Sequence, residues 1–246
     1  QVIWALRERG MEPFVTLWHW THPSWFARRG GWLHGDSVPA FVRFATRIVR
    51  EFHTDVKYWI TGNEFETFTR HGYLLGDRPP AKKWNVFKAY KALRNLTDAH
   101  VAAYRAIKDI DVSLKVGFTE SLVHFEPYNR LPQNLFAVKL FSWWRNNPFF
   151  DEYVRHCDFI GLQHYFHSRI RLNPFVSQWG IQCNENKNVS DIGWEIYPES
   201  MYRVLKTLAA YKKPIFITEN GLADARDIYR ADFIREYLSR VGRARR

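Results

Sequence analysis

Cysteine is scarce in this chain of 246 residues, which contains two cysteines and two methionines. Cys157 and Cys183 are too few to form a disulfide framework, and neither lies at a metal-ligand spacing. The ten histidines likewise show no His-Glu-x-x-His or comparable ligand pattern. We therefore expect no metal site, and the low cysteine content favours a cytoplasmic protein.

Long apolar runs are also absent, since no stretch reaches the length of a membrane-spanning helix. The chain has no internal repeat, low-complexity tract or domain linker. Its hydrophobic content of 46% is ordinary, and 246 residues suffice for one domain with a sizeable core. We expect a single globular domain over residues 1–246 that has no membrane partner.

Acidic residues are outnumbered, because 36 Lys and Arg stand against 25 Asp and Glu and give a formal net charge of +11. Such an excess is typical of proteins that bind nucleic acid. One basic group lies near a predicted helix start: Lys82, Lys83, Lys88, Lys91 and Arg94. This group joins no known nucleic-acid motif. We interpret the charge as a solvated cationic surface and expect no nucleic-acid partner.

What the chain does have is a repeated alternation of strand and helix patterns. Short apolar runs predict strands near residues 13–18, 56–63, 114–119, 158–163 and 214–218. A helical pattern follows each strand, with amphipathic examples at 38–53 and 197–211. The alternation indicates parallel strands joined by right-handed crossovers, and so an α/β fold with five βα units. Polar, irregular residues 173–192 predict a long loop after the fourth of these strands.

Two of the predicted strands end at a glutamate that stands next to an asparagine. Residues 58–63 lead to Glu64, and residues 214–218 lead to Glu219. Since the carboxyl ends of parallel barrel strands point to one face, the two carboxylates can meet across a pocket. Two facing carboxylates are the minimal machinery for cleaving a glycosidic bond. For either glutamate alone, the ordinary interpretation is a solvated residue that opens a loop.

Two further carboxylates lie close to predicted strand ends. Glu66 follows Glu64 by two positions, and Glu120 comes directly after the strand at 114–119. Each is interpreted either as part of a pocket rim or as a plain solvated carboxylate. Neither receives a catalytic role.

Both strand-end glutamates lie in short motifs, Thr-Gly-Asn-Glu at residues 61–64 and Ile-Thr-Glu-Asn-Gly at residues 217–221. The first resembles the Thr-x-Asn-Glu-Pro segment of family 1 glycoside hydrolases, the β-glucosidase-like enzymes. The second matches their Ile-Thr-Glu-Asn-Gly segment completely. The first motif departs from the family at Phe65, where the family usually has proline, so we expect the loop after Glu64 to run differently.

Three more stretches resemble the family's third strand, its sixth strand and the start of its seventh helix: residues 13–20, 158–165 and 193–199. The resemblance implies that His19 and Trp20, at the end of the third strand, contact the sugar. In the sixth strand the family usually has Asn-Tyr-Tyr, whereas this chain has Gln-His-Tyr at 163–165. The last tyrosine, Tyr165, is retained, and the resemblance implies that it orients the nucleophile.

The resemblance implies a retaining β-glycosidase that acts on terminal β-linked, glucoside-like sugars and needs no metal or organic cofactor. Glu219 would attack the anomeric carbon, and Glu64 would serve first as acid and then as base. Asn63 would hold the sugar 2-hydroxyl group. In a retaining enzyme the two carboxyl groups lie about 5 to 5.5 Å apart.

The fold implied by the resemblance is a (β/α)8 barrel of the TIM type, and the five predicted βα units are similar to strands three to seven of the family. The first two strands and the last strand are missing, so we expect a partial sequence or truncated gene product that forms one partial-barrel catalytic domain over residues 1–246. Open sheet edges leave an alternative: an inactive fragment that binds sugar, or that needs a partner or self-association to complete the barrel.

Overall fold

A computed structural model describes the chain over residues 1–146, 148–172 and 188–246. The chain divides into two compact units. The first unit comprises residues 1–120 and 149–161, and the second comprises residues 121–148 and 162–246. The expectation of one partial-barrel domain over the whole chain stays a prediction.

Helices separate the five strands of the main sheet along the described chain. The helices are α1 (Val2–Glu8), α2 (Ser24–Arg28), α3 (Ser37–Phe52), α4 (Phe65–Thr69), α5 (Val86–Ile110), α6 (Pro132–Arg145), α7 (Phe150–Arg155), α8 (Glu199–Ala209) and α9 (Arg230–Arg245). Short helical turns of 3₁₀ and π type occupy Gly31–Leu33 and Arg70–Leu75. The strands are β1 (Phe14–Thr16), β2 (Tyr58–Asn63), β3 (Lys115–Ser121), β4 (His124–Pro127), β5 (Phe159–Gln163), β6 (His167–Ile170) and β7 (Ile215–Glu219).

Five of the strands form one parallel sheet in the order β1-β2-β3-β5-β7. Phe14 pairs with Tyr58, and Tyr58 pairs in turn with Lys115, each in parallel register. All five strands lie where the sequence predicts them, and each is followed by at least one helix. The prediction of an α/β fold with five βα units is therefore confirmed.

A second, two-stranded sheet is formed by β4 and β6, which are not among the predicted strands. They pair in parallel, with His124 opposite His167. Each has only four residues, and each mixes charged and apolar side chains without an apolar run. The pattern that identifies the other strands is therefore absent from them.

Helix α3 shows how the sequence pattern produces the packing in the first unit. Phe41, Ala45 and Val49 recur every four residues, so they lie on one helix face, and all three are buried. Pro39 lies in the first turn, where its missing N–H breaks no helical hydrogen bond. The helix predicted at 38–53 is thus confirmed within one residue at each end.

Helices α8 and α9 pack against each other in the second unit. Met201, Leu205 and Leu208 of α8 are buried, and the rings of Phe233 and Tyr237 on α9 stack with centroids 4.0 Å apart. The helix predicted at 197–211 is confirmed, although its ends are two residues shorter on each side.

Residues 173–187 of the predicted loop, which include Cys183, lie outside the described residues. Within the last part of the predicted loop, Val189 pairs with Glu195, which lies just beyond it, in an antiparallel bridge. Cys157 is buried, and its thiol donates to the Val154 carbonyl at 3.5 Å. In the part of the chain that the structure describes, none of the helices has the length and apolar character needed to cross a membrane.

Candidate active site

Glu64 lies between β2 and α4 in the first unit and is only 8% exposed. Its backbone has φ +47°, in the left-handed region that residues other than glycine rarely adopt. The Glu64 N–H donates to the Thr119 carbonyl at 2.8 Å, and the Glu64 carbonyl accepts from the Phe68 N–H at 2.9 Å. Main-chain hydrogen bonds on both sides thus hold a conformation that costs about 1 to 3 kcal/mol by itself.

The residue after Glu64 is Phe65, at the point where the sequence departs from the resembled motif. The Phe65 N–H donates to Glu120 Oε1 at 3.0 Å, and the Glu66 N–H points to the same oxygen at 3.4 Å. A proline at this position would have no N–H to donate. The Phe65 ring also needs Gly62, because a Cβ on Gly62 would lie 2.1 Å from a ring carbon.

Glu66 and Glu120 are buried carboxylates, with exposed fractions of 2% and 1%. Glu66 pairs with Arg70 at 3.4 Å, and Glu120 accepts main-chain N–H groups at the start of α4. The interpretation of either as a solvated carboxylate is therefore wrong, because each finds hydrogen-bond or ion-pair partners inside the unit. The sequence pattern gives Glu120 no role, although Glu120 directly follows the predicted strand at 114–119 as Glu64 follows the one at 56–63.

Asn63 connects the other predicted residues of the first unit. Thr119 Oγ1 donates to Asn63 Oδ1 at 2.9 Å, so the Asn63 amide nitrogen is directed to His19 Nε2, which lies 3.3 Å away. The Trp20 indole N–H donates to the Asn63 carbonyl at 3.0 Å. Trp20, like Glu64, has a positive φ, of +68°. His19, Trp20, Asn63 and Glu64 are thus brought together at the end of β2.

Glu219 ends β7 in the second unit and is partly exposed. Gln163 Nε2 donates to Glu219 Oε1 at 2.6 Å, and the Tyr165 hydroxyl donates to Oε2 through a short hydrogen bond. Because each oxygen has its own donor, the plane and direction of the carboxylate are fixed.

Gln163 is a site residue to which the sequence pattern gives no role. Alternate residues of an extended segment face the same side, so a tyrosine at 165 directed to Glu219 already indicates that residue 163 points there too. His164, between them, faces away from Glu219. Its Nδ1 donates to the Leu122 carbonyl at 2.8 Å, its Nε2 lies 2.7 Å from Ser200 Oγ, and burial lowers the pKa of His164 to about 4.

The predicted site residues therefore form two groups. His19, Trp20, Asn63 and Glu64 belong to the first unit, whereas Tyr165 and Glu219 belong to the second. One group contains a buried carboxyl group beside an amide, and the other contains a carboxylate oriented by two donors. Acid–base and nucleophilic roles need carboxyl groups in different surroundings of this kind. Among the described residues, no three or more His, Cys, Asp or Glu side chains are arranged to hold a metal ion.

Comparison with known proteins gives the family. The sequence matches the model of the family described as Glycosyl hydrolase family 1 over residues 1–159 and 153–246. A 1,4-beta-D-glucan glucohydrolase of Thermotoga neapolitana is 25% identical over 284 residues, which cover 99% of this chain and 67% of that protein. A beta-galactosidase of Pyrococcus woesei is 27% identical over 305 residues, which cover 99% of this chain and 60% of that protein.

The fold is similar to the solved structure of a beta-glucosidase from Thermotoga maritima in complex with deoxynojirimycin. The TM-score is 0.91 at 25% identity, and the match covers 99% of this chain and 64% of that chain. The prediction of part of a (β/α)8 barrel is confirmed by this similarity, and the chain spans about two thirds of the length of the T. neapolitana and T. maritima relatives. The chain belongs to glycosyl hydrolase family 1.

Proposed function

We propose that this chain carries the catalytic residues of a retaining β-glycosidase, which hydrolyses terminal β-linked sugars. The observation that carries the proposal is the pair of donors on Glu219, from Gln163 and Tyr165. A nucleophilic carboxylate must present one oxygen to the anomeric carbon in a defined direction, and donors on both oxygens supply that direction. An ordinary solvated glutamate has no need of two such donors.

The proposed reaction has two steps. In the first, a Glu219 oxygen bonds to the anomeric carbon while Glu64 gives its proton to the departing glycosidic oxygen. The bond between the anomeric carbon and the glycosidic oxygen breaks. In the second, water attacks the same carbon, Glu64 takes the proton of that water, and Glu219 leaves as a carboxylate. Each step inverts the anomeric centre, so the configuration is retained overall, and the electrons balance without a redox partner.

The surroundings of Glu64 support its assignment as the proton donor. Burial disfavours the charged form of a carboxyl group, and Glu64 is almost completely buried. A group that begins the reaction as an acid must be protonated before the sugar arrives. The main-chain bonds that hold Glu64 also keep its position constant between the acid step and the base step.

Sugar recognition is assigned to the residues at the end of β2. We propose that the Asn63 amide nitrogen donates to the sugar 2-hydroxyl group, since Thr119 fixes the orientation of that amide. His19 is exposed next to it, and Trp20 presents a partly exposed ring. Relatives named for glucan, β-glucoside and β-galactoside hydrolysis support a terminal β-glucoside or β-galactoside as the substrate class. The cytoplasmic location stays a prediction.

A second candidate function is favoured by the edges of the sheet. Strands β1 and β7 lie at the two ends of the strand order, and their residues are mostly exposed or partly exposed, with Phe14 among the exposed apolar side chains. The middle strands β2 and β3 are buried. Open edges of this kind favour pairing with another chain, so the alternative is a sugar-binding chain that turns over substrate only after self-association.

Covalent trapping tests the proposal. A 2-deoxy-2-fluoro-β-glucoside with a dinitrophenolate leaving group forms the glycosyl-enzyme but slows its hydrolysis, because fluorine destabilises the positively charged transition state. We expect mass spectrometry to find one fluorosugar on Glu219. Glu219→Gln should abolish labelling and lower aryl β-glucoside hydrolysis by roughly 10⁵-fold.

The outcomes separate the candidates. A label on another residue, or a product whose anomeric configuration is inverted by NMR, contradicts the proposed mechanism. Absence of labelling together with calorimetric binding of deoxynojirimycin identifies a silent sugar-binding chain. Hydrolysis whose specific activity rises with protein concentration, in step with a larger species in size-exclusion chromatography, identifies the self-associating form.

A further inference from the structure

The N-terminal end of α5 and the residues just before it carry large apolar side chains that the first unit does not cover. Four of them are between 52% and 90% exposed: Trp84, Val86, Phe87 and Tyr90. Four exposed lysines lie between and beside them: Lys82, Lys83, Lys88 and Lys91. These eight residues form the aromatic–lysine surface. Exposed apolar side chains grouped in this way mark an interaction site more often than scattered ones do.

The positive charge of the aromatic–lysine surface is not balanced from within the unit. Residues 78–97 contain no acidic side chain. The two arginines of this segment have other partners, since the Arg78 guanidinium lies 5.0 Å from the Trp20 ring centre and Arg94 pairs with Glu152 at 2.7 Å. Within the described ranges of the chain, none of the four lysines takes part in an ion pair. Four ammonium groups are therefore available to an anionic partner.

The backbone that carries these side chains is held by hydrogen bonds. Lys82 N–H donates to the Gly72 carbonyl at 2.8 Å, and Trp84 N–H donates to the Leu74 carbonyl at 2.9 Å. The Asn85 side chain caps α5 by accepting from a main-chain N–H at 3.2 Å. The exposed side chains thus project from a fixed frame, which lowers the entropic cost of placing them at an interface.

We propose that the aromatic–lysine surface docks this chain on an anionic phospholipid bilayer. Trp and Phe side chains partition into the boundary between headgroups and acyl chains, and lysines are attracted to anionic headgroups. Val86 has no ring face on which a nucleic-acid base could stack, and ammonium groups lack the planar fork that grips phosphate in two places. A lipid surface therefore fits the residues better than a nucleic acid. Peripheral docking needs no membrane-spanning helix, and it revises the expectation of no membrane partner.

Vesicle co-sedimentation tests the proposal. We expect the chain to pellet with vesicles of phosphatidylcholine and phosphatidylserine in a molar ratio of about 7:3, and to remain in solution with phosphatidylcholine alone. Binding should weaken as salt increases, because the headgroup attraction is screened. Lys82→Gln/Lys83→Gln should weaken binding about 30-fold, since each lysine near such a surface contributes about one kcal/mol. Trp84→Ser/Phe87→Ser should weaken it at least tenfold.

Matched variants elsewhere serve as controls. Lys57→Gln/Lys115→Gln removes the same charge from exposed lysines outside the surface, and Phe136→Ser/Trp143→Ser removes exposed rings from α6. Both controls should bind within about threefold of the unchanged chain, and all four variants should melt at the same temperature because the positions are exposed. The proposal is overturned if the controls lose as much as the test variants, if the chain pellets without vesicles or equally with phosphatidylcholine alone, or if it binds single-stranded RNA but no vesicles.

Discussion

The two glutamates of the proposed site are held in opposite ways. Glu64 follows β2, in which residues 59–63 are all buried, and it is fixed by main-chain hydrogen bonds and a positive φ. Glu219 ends β7, in which every residue is partly exposed, and it is fixed through its side chain by Gln163 and Tyr165. One carboxyl group is thus placed by the backbone, and the other is oriented by donors.

Because of this difference, we expect changes near Glu64 to affect stability and changes near Glu219 to affect activity. Changes next to Glu64 disturb buried main-chain hydrogen bonds, so they should destabilise the fold of the first unit. Changes next to Glu219 remove a donor from a partly exposed carboxylate, so they should lower the rate with little effect on folding. Substitutions around each glutamate distinguish these two effects.

After Glu219→Gln, the largest effect is expected from Glu64→Gln. The amide keeps the shape of the side chain but has no proton to transfer to the departing oxygen. Hydrolysis of alkyl β-glucosides, whose leaving groups need protonation, should fall about 10² to 10⁴-fold. Dinitrophenyl β-glucosides need no proton, so the pre-steady-state release of dinitrophenol should remain near the unchanged rate. Glu66→Gln, two residues later, is the matched control and should not show this dependence on the leaving group. Equal losses on both substrates would exclude Glu64 as the acid.

The next effect concerns Glu120, which accepts the N–H groups of Phe65 and Glu66. Glu120→Leu leaves these buried donors without their acceptor, so the free energy of unfolding should fall by about 2 to 4 kcal/mol. Glu120→Gln keeps an acceptor oxygen and should cost about 1 kcal/mol. Urea denaturation measures both, and an unchanged slope against denaturant concentration shows that the unfolded state is the same. If Leu and Gln cost the same, the two hydrogen bonds do not stabilise this turn.

The sequence predicts the main sheet well because its strands are short apolar runs between helical patterns. It does not predict β4 and β6, because each of these four-residue strands contains charged or polar side chains and no apolar run. Their pairing depends on a partner about 40 residues away in the chain, which no local pattern encodes. Local periodicity therefore predicts the strands that contain apolar runs. It does not predict strands that form by pairing with a distant segment of the chain.

The same limit applies to the site. The grouping of His19, Trp20 and Asn63 follows from motifs at the ends of neighbouring strands, because parallel strands end at the same edge. The roles of Glu120 and Gln163 cannot be derived in this way, since a glutamate or glutamine at a strand end has many solvated alternatives. Two contacts in the structure distinguish these residues from solvated ones: the N–H group that donates to Glu120, and the Glu219 carboxylate that accepts from Gln163.

A smaller effect is expected from Tyr165→Phe, which removes one donor from Glu219 and leaves the ring in place. Hydrogen bonds to charged groups contribute about 1.5 to 3 kcal/mol, so kcat/KM should fall roughly 10 to 150-fold. The free energy of unfolding should change by less than about 1 kcal/mol, because Glu219 is partly exposed and solvent can replace the lost donor. Tyr202→Phe on α8 is the matched control and should leave the rate unchanged. A large loss of stability with a normal rate in the folded protein would reverse the assignment.

A further effect is expected from pH, and one buried histidine in each unit makes it testable in both units. His100 in the first unit lies 2.7 Å from Thr61 Oγ1 and 3.3 Å from the Tyr153 carbonyl, and His164 occupies a similar buried position in the second. Burial lowers the pKa of both imidazoles from 6.5 to about 4. Between these values the unfolded chain binds a proton at each histidine and the folded chain does not.

The contribution of each histidine to the free energy of unfolding should therefore be fully present above pH 6.5. It should fall by about 1.4 kcal/mol per pH unit as the pH decreases towards 4. Urea denaturation at a series of pH values measures this slope. His100→Gln and His164→Gln each remove one titrating group, so each variant should have a slope smaller by that amount, even though carboxylates titrate in the same range. Equal reductions would show that burial of a neutral histidine acts alike in both units, and an unchanged slope in either variant would show that its histidine is already solvated in the folded chain.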